Sequence, residues 1–172
     1  MASLYVIGPV TGIPNDNRKA FEEARDLLVD ANHSAFIPHA FVPSDAPWNE
    51  AMRISINHLT NPSPIRSVFF DGVALLPGWE QSEGARLEKA VADACVITVK
   101  TVEEWLEDAR VRDLRSECHK LFDRTWKTKD ERKDCYVRLS RKLGITLGEC
   151  HFSTMSAELL ERALEILKED AR

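Results

Sequence analysis

The sequence predicts an α/β fold with a mainly parallel sheet and helices on both of its faces. Short apolar runs such as "LYVIG" and "GVALL" are typical of strands in such a sheet, because these strands are covered on both sides. Segments with apolar residues at helical spacing separate the runs. The chain has 172 residues, of which 44% are hydrophobic, so it is long enough to bury a substantial core.

The strands are predicted from apolar runs that end at turn-forming residues. The first run ends at Gly8, and the third, "FFDGVALLPG", is stopped by Pro77 and Gly78. In chain order, the four strands are expected within residues 4–8, 34–41, 69–78 and 95–99.

The helices are predicted from apolar spacing and from their start and stop residues. Residues 17–31 place Phe21, Ala24 and Leu28 on one face, and a short helix is expected in 48–59 between proline-rich flanks. Residues 82–94 form the next helix, with Leu87 and Val91 expected to face the core, and another helix begins near 101. This alternation is typical of a Rossmann-like (flavodoxin-like) sheet, in which ligands bind beyond the carboxyl ends of the strands.

The C-terminal part has no strand signal and predicts a small helical appendage. Its three helices are expected at 111–126, 129–144 and 156–170, which divides the chain into an α/β domain at 1–108 and a helical domain at 109–172. Residues 110–142 hold 12 basic and six acidic residues, which is typical either of a solvated helical pair or of a nucleic-acid surface. The first interpretation is preferred.

Composition excludes several classes of protein. No apolar run is long enough to span a membrane, and "MASLYVIGPVTG" lacks the basic start and cleavage site of a signal peptide, so a cytoplasmic location is expected. The four cysteines form no CxxC pair and are expected to be free thiols. We expect neither a cofactor nor a metal.

The first candidate site is the loop "GPVTG" between a strand and a helix. Backbone amides near Gly8, Pro9 and Gly12, with the positive end of the following helix, suit an anion. The spacing matches neither a Walker loop nor the dinucleotide fingerprint, and a tight turn needs glycine in any case. Both interpretations stay open.

The second candidate lies in "GWEQSEGARLEKA". If Ser82 caps the helix, Gly84 lies one turn before Glu88 on the same face, and the missing side chain of Gly84 leaves space for a flat sugar or base beneath the carboxylate. Glu80 and Glu83 lie at the solvent edge of the first turn, where acids favour the helix dipole. Helical position therefore singles out Glu88.

Two further residues could contribute. Asp71 follows two phenylalanines and precedes the third strand, so it is either a partly desolvated general acid or a turn aspartate. His39 follows the second strand and is either a ligand contact or a surface histidine.

Three segments, "LYVIGPVTGIPNDNRKAFEEARDLL", "DGVALLPGW" and "SEGARLEKAVA", resemble an uncharacterised phage and bacterial family that is similar to nucleoside 2-deoxyribosyltransferases and nucleotide N-glycosidases. The resemblance covers about residues 3–100 and implies that Glu88 is the nucleophile, positioned by Tyr5, and that Asp71 contacts the base or the sugar. It also implies that Gly8, Gly12 and Ser82 hold a 5′-phosphate. Transferase-like members carry an additional aspartate on the helix before the third strand, where this chain offers Ser55 or Asn57.

The tail resembles the C-terminal part of a phage zinc-finger-containing domain family through "RSECHKLFDRTWK", "CYVRLSRKLGI" and "ECHFSTM". The cysteine pairs of a finger are absent. The cluster formed by Cys118, His119, Cys135, Cys150 and His151 is therefore expected to be packed thiols and capping histidines, with zinc as the alternative.

Three functions follow from these patterns. The leading one is an N-glycosidase or 2-deoxyribosyltransferase that acts on a nucleoside or nucleoside 5′-monophosphate, and the resemblance implies a homo-oligomer. The alternatives are a protein that binds a nucleotide or nucleotide-derived signal without turnover, and a docking protein that uses the basic tail.

Overall fold

A four-stranded parallel sheet forms the centre of the N-terminal half of the chain. The computed structural model describes residues 1–61 and 69–170, which divide into two compact units, Met1–Leu106 and Glu107–Arg172. The strands are β1 (Ser3–Ile7), β2 (Ser34–Phe36), β3 (Gly72–Leu75) and β4 (Thr98–Thr101), in the spatial order β2-β1-β3-β4. The α/β prediction with a parallel sheet is therefore confirmed.

Side chains of the sheet alternate between two apolar layers. Leu4 and Val6 of β1 point to one layer, which also contains residues of helix α1 (Arg18–Asp30) and Trp105. Tyr5 and Ile7 point to the other layer, which contains residues of α2 (Trp48–Thr60) and α3 (Glu83–Ala94). Both faces of the sheet are covered, and the hydroxyl-bearing Tyr5 lies on the face of α2 and α3.

The strand order places a topological switch between β1 and β3. From β1 the chain crosses to β2 on one side, and later to β3 on the other side of β1. The loops after two such strands diverge to opposite faces, which leaves a crevice at the carboxyl edge of the sheet. The loop after Ile7 and the segment after Leu75 border that crevice.

The fourth strand begins three residues later than the predicted 95–99. Helix α3 ends at Ala94, and the chain then turns through Val96, whose φ of +57° is left-handed and whose side chain is 91% exposed. A β-branched residue is unusual in such a turn, so the sequence predicted a strand where the turn lies.

The C-terminal unit consists of helices, as predicted, but their boundaries differ. Helix α4 runs without interruption over Val102–Phe122, whereas the sequence predicted two helices there. Helix α5 (Lys129–Leu143) begins at a capping box of Thr128 and Glu131 and ends at Gly144, and α6 (Ala157–Asp170) follows. These helices enclose a separate core that includes Cys118, Cys135 and Cys150.

The basic residues of this unit are partly engaged within it. Arg110 pairs with Glu107 and Glu161, Lys142 pairs with Asp170, and Arg115 donates to the carbonyl of Phe152 at 3.0 Å. These contacts agree with the interpretation of solvated, paired helices. Within 1–61 and 69–170, no helix is long and apolar enough to cross a membrane.

Candidate active site

A cavity of about 300 Å³ opens at the carboxyl edge of β1 and β3, where the switch point leaves a crevice. Its walls come from the loop after β1, the start of α1, the segment after β2, helix α2 and the start of α3. Of the candidates named from sequence, it is lined by Gly8, Gly12, His39, Ser82, Gly84 and Glu88. The volume lies at the lower end of the range for small-molecule sites.

Glu88 and Tyr5 meet beneath this cavity. Glu88 is 7% exposed on α3, and Tyr5 is completely buried on β1. The Tyr5 hydroxyl donates a hydrogen bond of 3.4 Å to Oε1 of Glu88. Ser55 of α2, itself buried, lines the cavity within reach of both groups, and its hydroxyl can donate to one of them at a time. Asn57, the other residue proposed for this position on α2, is exposed.

The environment raises the pKa of both Glu88 and Tyr5. Burial raises the pKa of Glu88 from 4.5 to about 7, against the opposing hydrogen bonds from Tyr5 and Ser55. Burial, followed by the negative charge of Glu88, raises the pKa of Tyr5 well above 10. Tyr5 therefore remains a hydrogen-bond donor near neutral pH, while Glu88 exists both as acid and as carboxylate.

The glycine loop contributes backbone to the cavity, but Pro9 does not line it. A Cβ on Gly8 would lie 2.7 Å from Cδ1 of Leu76, so close packing against the end of β3 requires glycine there. The carbonyl of Pro9 accepts a 3.0 Å hydrogen bond from Nδ2 of Asn17, which fastens the loop to the start of α1. Pro9 thus positions the loop and is not one of the cavity-lining residues.

His39 lies in the wall formed after β2. Its Nε2 is 2.8 Å from the carbonyl oxygen of Asp16, which only accepts, so Nε2 carries the proton in the neutral ring. Its ring packs edge-on against Phe21 at 4.8 Å. Nδ1 is buried and has no hydrogen-bond partner in the part of the chain that the structure describes.

Ser82 and Gly84 start helix α3, as the sequence predicted, but the space beside Gly84 is not open. Oγ of Ser82 accepts from the backbone N–H of Ala85 at 3.3 Å. A Cβ on Gly84 would lie 3.1 Å from Sδ of Met52 and 3.9 Å from Nε1 of Trp48. Two side chains of α2 therefore occupy the position that was expected to receive the ligand, and glycine allows α2 to approach.

Asp71 is not brought to the cavity. It lies at the start of β3, where its carboxylate accepts a 2.7 Å hydrogen bond from the backbone N–H of Ser3, while its own N–H donates to the Ser3 carbonyl at 2.8 Å. Because β1 and β3 are parallel, both residues lie at the amino edge, opposite the cavity. Asp71 thus joins the beginnings of two strands.

Several cavity residues were not identified from sequence. Among them are Thr11, Asp16, Arg18, Trp48 and Met52. Arg18 supplies a positive charge beside the glycine loop, and it also pairs with Glu22 at 3.6 Å. A cation in the first turn after a glycine loop was a usable signal for Arg18. Trp48 and Met52 gave no comparable signal.

The cysteines of the second unit are packed in its apolar core. Cys118, Cys135 and Cys150 are buried free thiols, and burial raises the pKa of Cys118 to about 11 and raises that of Cys150 as well. The ring of His119 packs against Phe152 at 5.0 Å. The described residues bring together no three His, Cys, Asp or Glu side chains that could hold a metal ion.

Two family models match the chain. One, described as "Domain of unknown function (DUF4406)", matches residues 2–101. The other, described as a zinc-finger-containing domain, matches residues 93–170, in agreement with the resemblance of the tail. No curated protein and no solved structure matches. Neither family description names a nucleoside deoxyribosyltransferase, so the catalytic roles implied by that resemblance remain predictions.

Proposed function

We propose that this chain, which belongs to the family described as domain of unknown function (DUF4406), is an N-glycosidase or 2-deoxyribosyltransferase that cleaves the bond between base and sugar in a nucleoside or nucleoside 5′-monophosphate. One observation carries the proposal. A single buried carboxylate, Glu88, lies at the wall of a ligand-sized cavity and receives a hydrogen bond from the buried Tyr5 hydroxyl. The resemblance of the sequence supplies the class of substrate.

Glu88 would act as the nucleophile. Loss of the base leaves an oxocarbenium-like sugar, and a carboxylate at C1′ either stabilises or traps it. In the covalent route, a Glu88 oxygen forms the bond to C1′ while the C1′–N bond breaks and its electron pair leaves with the base. Water, or a second base in a transferase, then attacks C1′ and releases the carboxylate.

Tyr5 and Ser55 would position that carboxylate. Both hydrogen bonds favour the ionised form and lower the pKa of Glu88 against the effect of burial. The bond from Tyr5 also fixes one of the two carboxylate oxygens and leaves the other for C1′.

The wall formed by the glycine loop and the start of α1 suits the 5′-phosphate. Gly8, Gly12 and Arg18 line the cavity there, and Ser82 borders it from the start of α3. Backbone amides of a strand-to-helix loop and an arginine are common partners of phosphate. A nucleoside 5′-monophosphate is therefore the preferred substrate form. Asp71 has no part in this mechanism, since it lies at the other edge of the sheet.

A base-release assay tests the proposal. The protein is incubated with ribo- and deoxyribonucleosides and their 5′-monophosphates, and free base is separated by chromatography. We expect Glu88→Ala and Glu88→Gln to abolish release, while Asp71→Asn and the exposed Glu83→Gln retain it. Release that persists in purified Glu88→Gln would exclude Glu88 as the nucleophile. Release from no substrate would remove the enzymatic proposal.

A binding protein without turnover is the second candidate. It is favoured by Ser55, a residue that cannot act as a general acid near neutral pH, at the place where transferase-like relatives carry an aspartate. Thermal stabilisation by a nucleotide with no base released over hours would support it. A homo-oligomer also remains a prediction, which light scattering in solution checks.

A further inference from the structure

The two walls of the cavity differ in chemistry. The wall formed by the start of α1 and the segment after β2 carries Asp16, Arg18 and His39. The wall formed by α2 carries Trp48, Ala51, Met52 and Ser55, none of which titrates near neutral pH. His58 lies on the same helix, but it stacks on Phe41 at 3.9 Å and is not one of the cavity-lining residues.

The α2 wall is the one that lies beside the nucleophile. Trp48, Met52 and Ser55 are spaced i, i+4 and i+7 and so form one stripe of the helix. Met52 approaches the position of a Gly84 side chain to 3.1 Å, and Ser55 hydrogen-bonds to Glu88 one turn further along α3. With the phosphate on the Arg18 wall and C1′ at Glu88, the remaining wall for the base is this stripe of aromatic, thioether and hydroxyl groups.

No acid lies on the α2 wall that would face a base in that position, and His39, the imidazole at the cavity, comes from the segment after β2. A carboxylate that attacks C1′ cannot protonate the leaving nitrogen in the same step, and glycosidases use a second carboxyl group for this purpose. In the described part of the chain, the other carboxyl group at the cavity is that of Asp16, which precedes α1 and belongs to neither α2 nor α3. The side chains of residues 62–68 and 171–172 include no carboxyl, imidazole or thiol group. Tyr5 directs its proton to Glu88, and burial makes it a weaker acid still.

We infer that the site is built for a base that is already a cation while attached to the sugar, such as an N-glycosyl pyridinium or an N-alkylated purine. This inference rests on the proposed function and narrows its substrate class. When Glu88 attacks C1′ of such a substrate, the C1′–N electron pair neutralises the ring, and the free base leaves without receiving a proton. The indole of Trp48, 45% exposed at the start of α2, lines the cavity and would stack on the cationic ring.

The same cation would ionise the nucleophile. Glu88 is buried with hydrogen-bond donors, and no cationic side chain is among the groups that shift its titration. A positive ring in the cavity supplies that missing charge and favours the carboxylate. Binding of the substrate would then ionise Glu88 and so activate it as a nucleophile.

Two matched pairs of substrates test the inference. Nicotinamide mononucleotide and uridine 5′-monophosphate share ribose 5′-phosphate and a single six-membered ring, but only the first carries a cationic ring. The methylated and unmethylated forms of guanosine 5′-monophosphate, with the methyl at N7, form the purine pair in slightly acidic buffer. Because a general acid contributes roughly 10²–10⁴-fold, we expect kcat/KM of a cationic member to exceed that of its neutral partner at least about 100-fold.

The outcomes separate this inference from the proposed function. If neutral bases are released and both ratios fall below that value, an acid is acting and the inference is wrong, while the proposed function stands. If neither pair nor any substrate of the base-release assay yields free base, the proposed function fails and the inference with it.

Substitution of Trp48 tests the recognition of charge directly. Trp48→Leu should raise KM for the cationic member roughly 2- to 30-fold with kcat nearly unchanged, and Trp48→Phe should recover much of the loss. The neutral member, measured as a competitive inhibitor, should change much less. Equal losses for both members would mean that the wall recognises shape and not charge.

Discussion

Replacement of Glu88 by glutamine should make the protein more stable at alkaline pH. The folded state holds the pKa of Glu88 at about 7, against an ordinary value of 4.5. Between these values the folded state binds more protons than the unfolded state, so the free energy of unfolding falls as the pH rises through this window. The displacement corresponds to about 3 kcal/mol, which is fully lost above the folded pKa. Glutamine has nearly the same shape and no charge, so it removes the loss.

The expected difference between Glu88→Gln and the parent is therefore small near pH 4.5 and approaches about 3 kcal/mol near pH 8. Urea unfolding followed by tryptophan fluorescence measures it. A Trp126→Phe background is preferred, because the other three tryptophans, Trp48, Trp79 and Trp105, all belong to the unit that contains Glu88.

The control is Glu83→Gln in the first turn of the same helix. Glu83 is exposed, so its replacement should change stability by at most about 1 kcal/mol at either pH value. Parallel stability curves for Glu88→Gln and its parent from pH 4.5 to 8 would refute the reasoning, because they would mean that Glu88 is not held in a desolvated position.

Three further predictions concern the same unit. The kcat/KM for base release should rise as the pH passes about 7, where Glu88 becomes a carboxylate. Tyr5→Phe should move this rise to higher pH, because it removes a hydrogen bond that lowers the pKa of Glu88. The pH profiles of both proteins check this. Gly84→Ala should lower the melting temperature, since its methyl would lie 3.1 Å from the sulfur of Met52, and Met52→Ala in the same chain should restore most of the loss. Trp105→Phe should cost about 1–3 kcal/mol in urea unfolding, because it leaves a buried carbonyl of β3 without the indole N–H that donates to it at 2.8 Å.

The fold was predictable because the strands of a parallel sheet appear in the sequence as apolar runs. β1 lies within one residue of its predicted bounds and β3 lies inside the predicted 69–78, since each run ends at a turn former. The beginning of β4 was missed because Val96, a β-branched residue, occupies a left-handed turn. No residue type at this position predicts the left-handed backbone, because the surrounding chain imposes it.

The orientation of α3 was predicted only in part. Val91 packs against the core as expected, but Leu87 is 41% exposed, while Glu88 beside it is 7% exposed. The inward stripe consists of Ala85, Glu88 and Ala92, so the helix buries small residues and one carboxylate. Hydrophobic periodicity assumes that the buried face is the apolar one, and this assumption fails where a helix borders a cavity.

The position of Asp71 could have been predicted from strand direction alone. A residue that precedes a strand lies at the amino edge of a parallel sheet, and ligands bind at the carboxyl edge. Trp48 and Met52 could not have been predicted, since their place depends on how closely α2 approaches Gly84. How closely α2 approaches Gly84 follows from the packing of α2 against α3.

The cost of burying Glu88 bears on the choice between enzyme and binding protein. Glutamine at this position would accept the same hydrogen bonds from Tyr5 and Ser55 and would avoid a loss of about 3 kcal/mol at alkaline pH. A site that only binds a neutral ligand gains nothing from the charge. A carboxylate is useful there if it forms a bond to carbon or if its ligand is a cation, and the inferred substrate meets both conditions. The carboxylate that makes Glu88 reactive then also lowers the stability of the protein at alkaline pH. Glu88→Gln should therefore be more stable than the parent and should release no base.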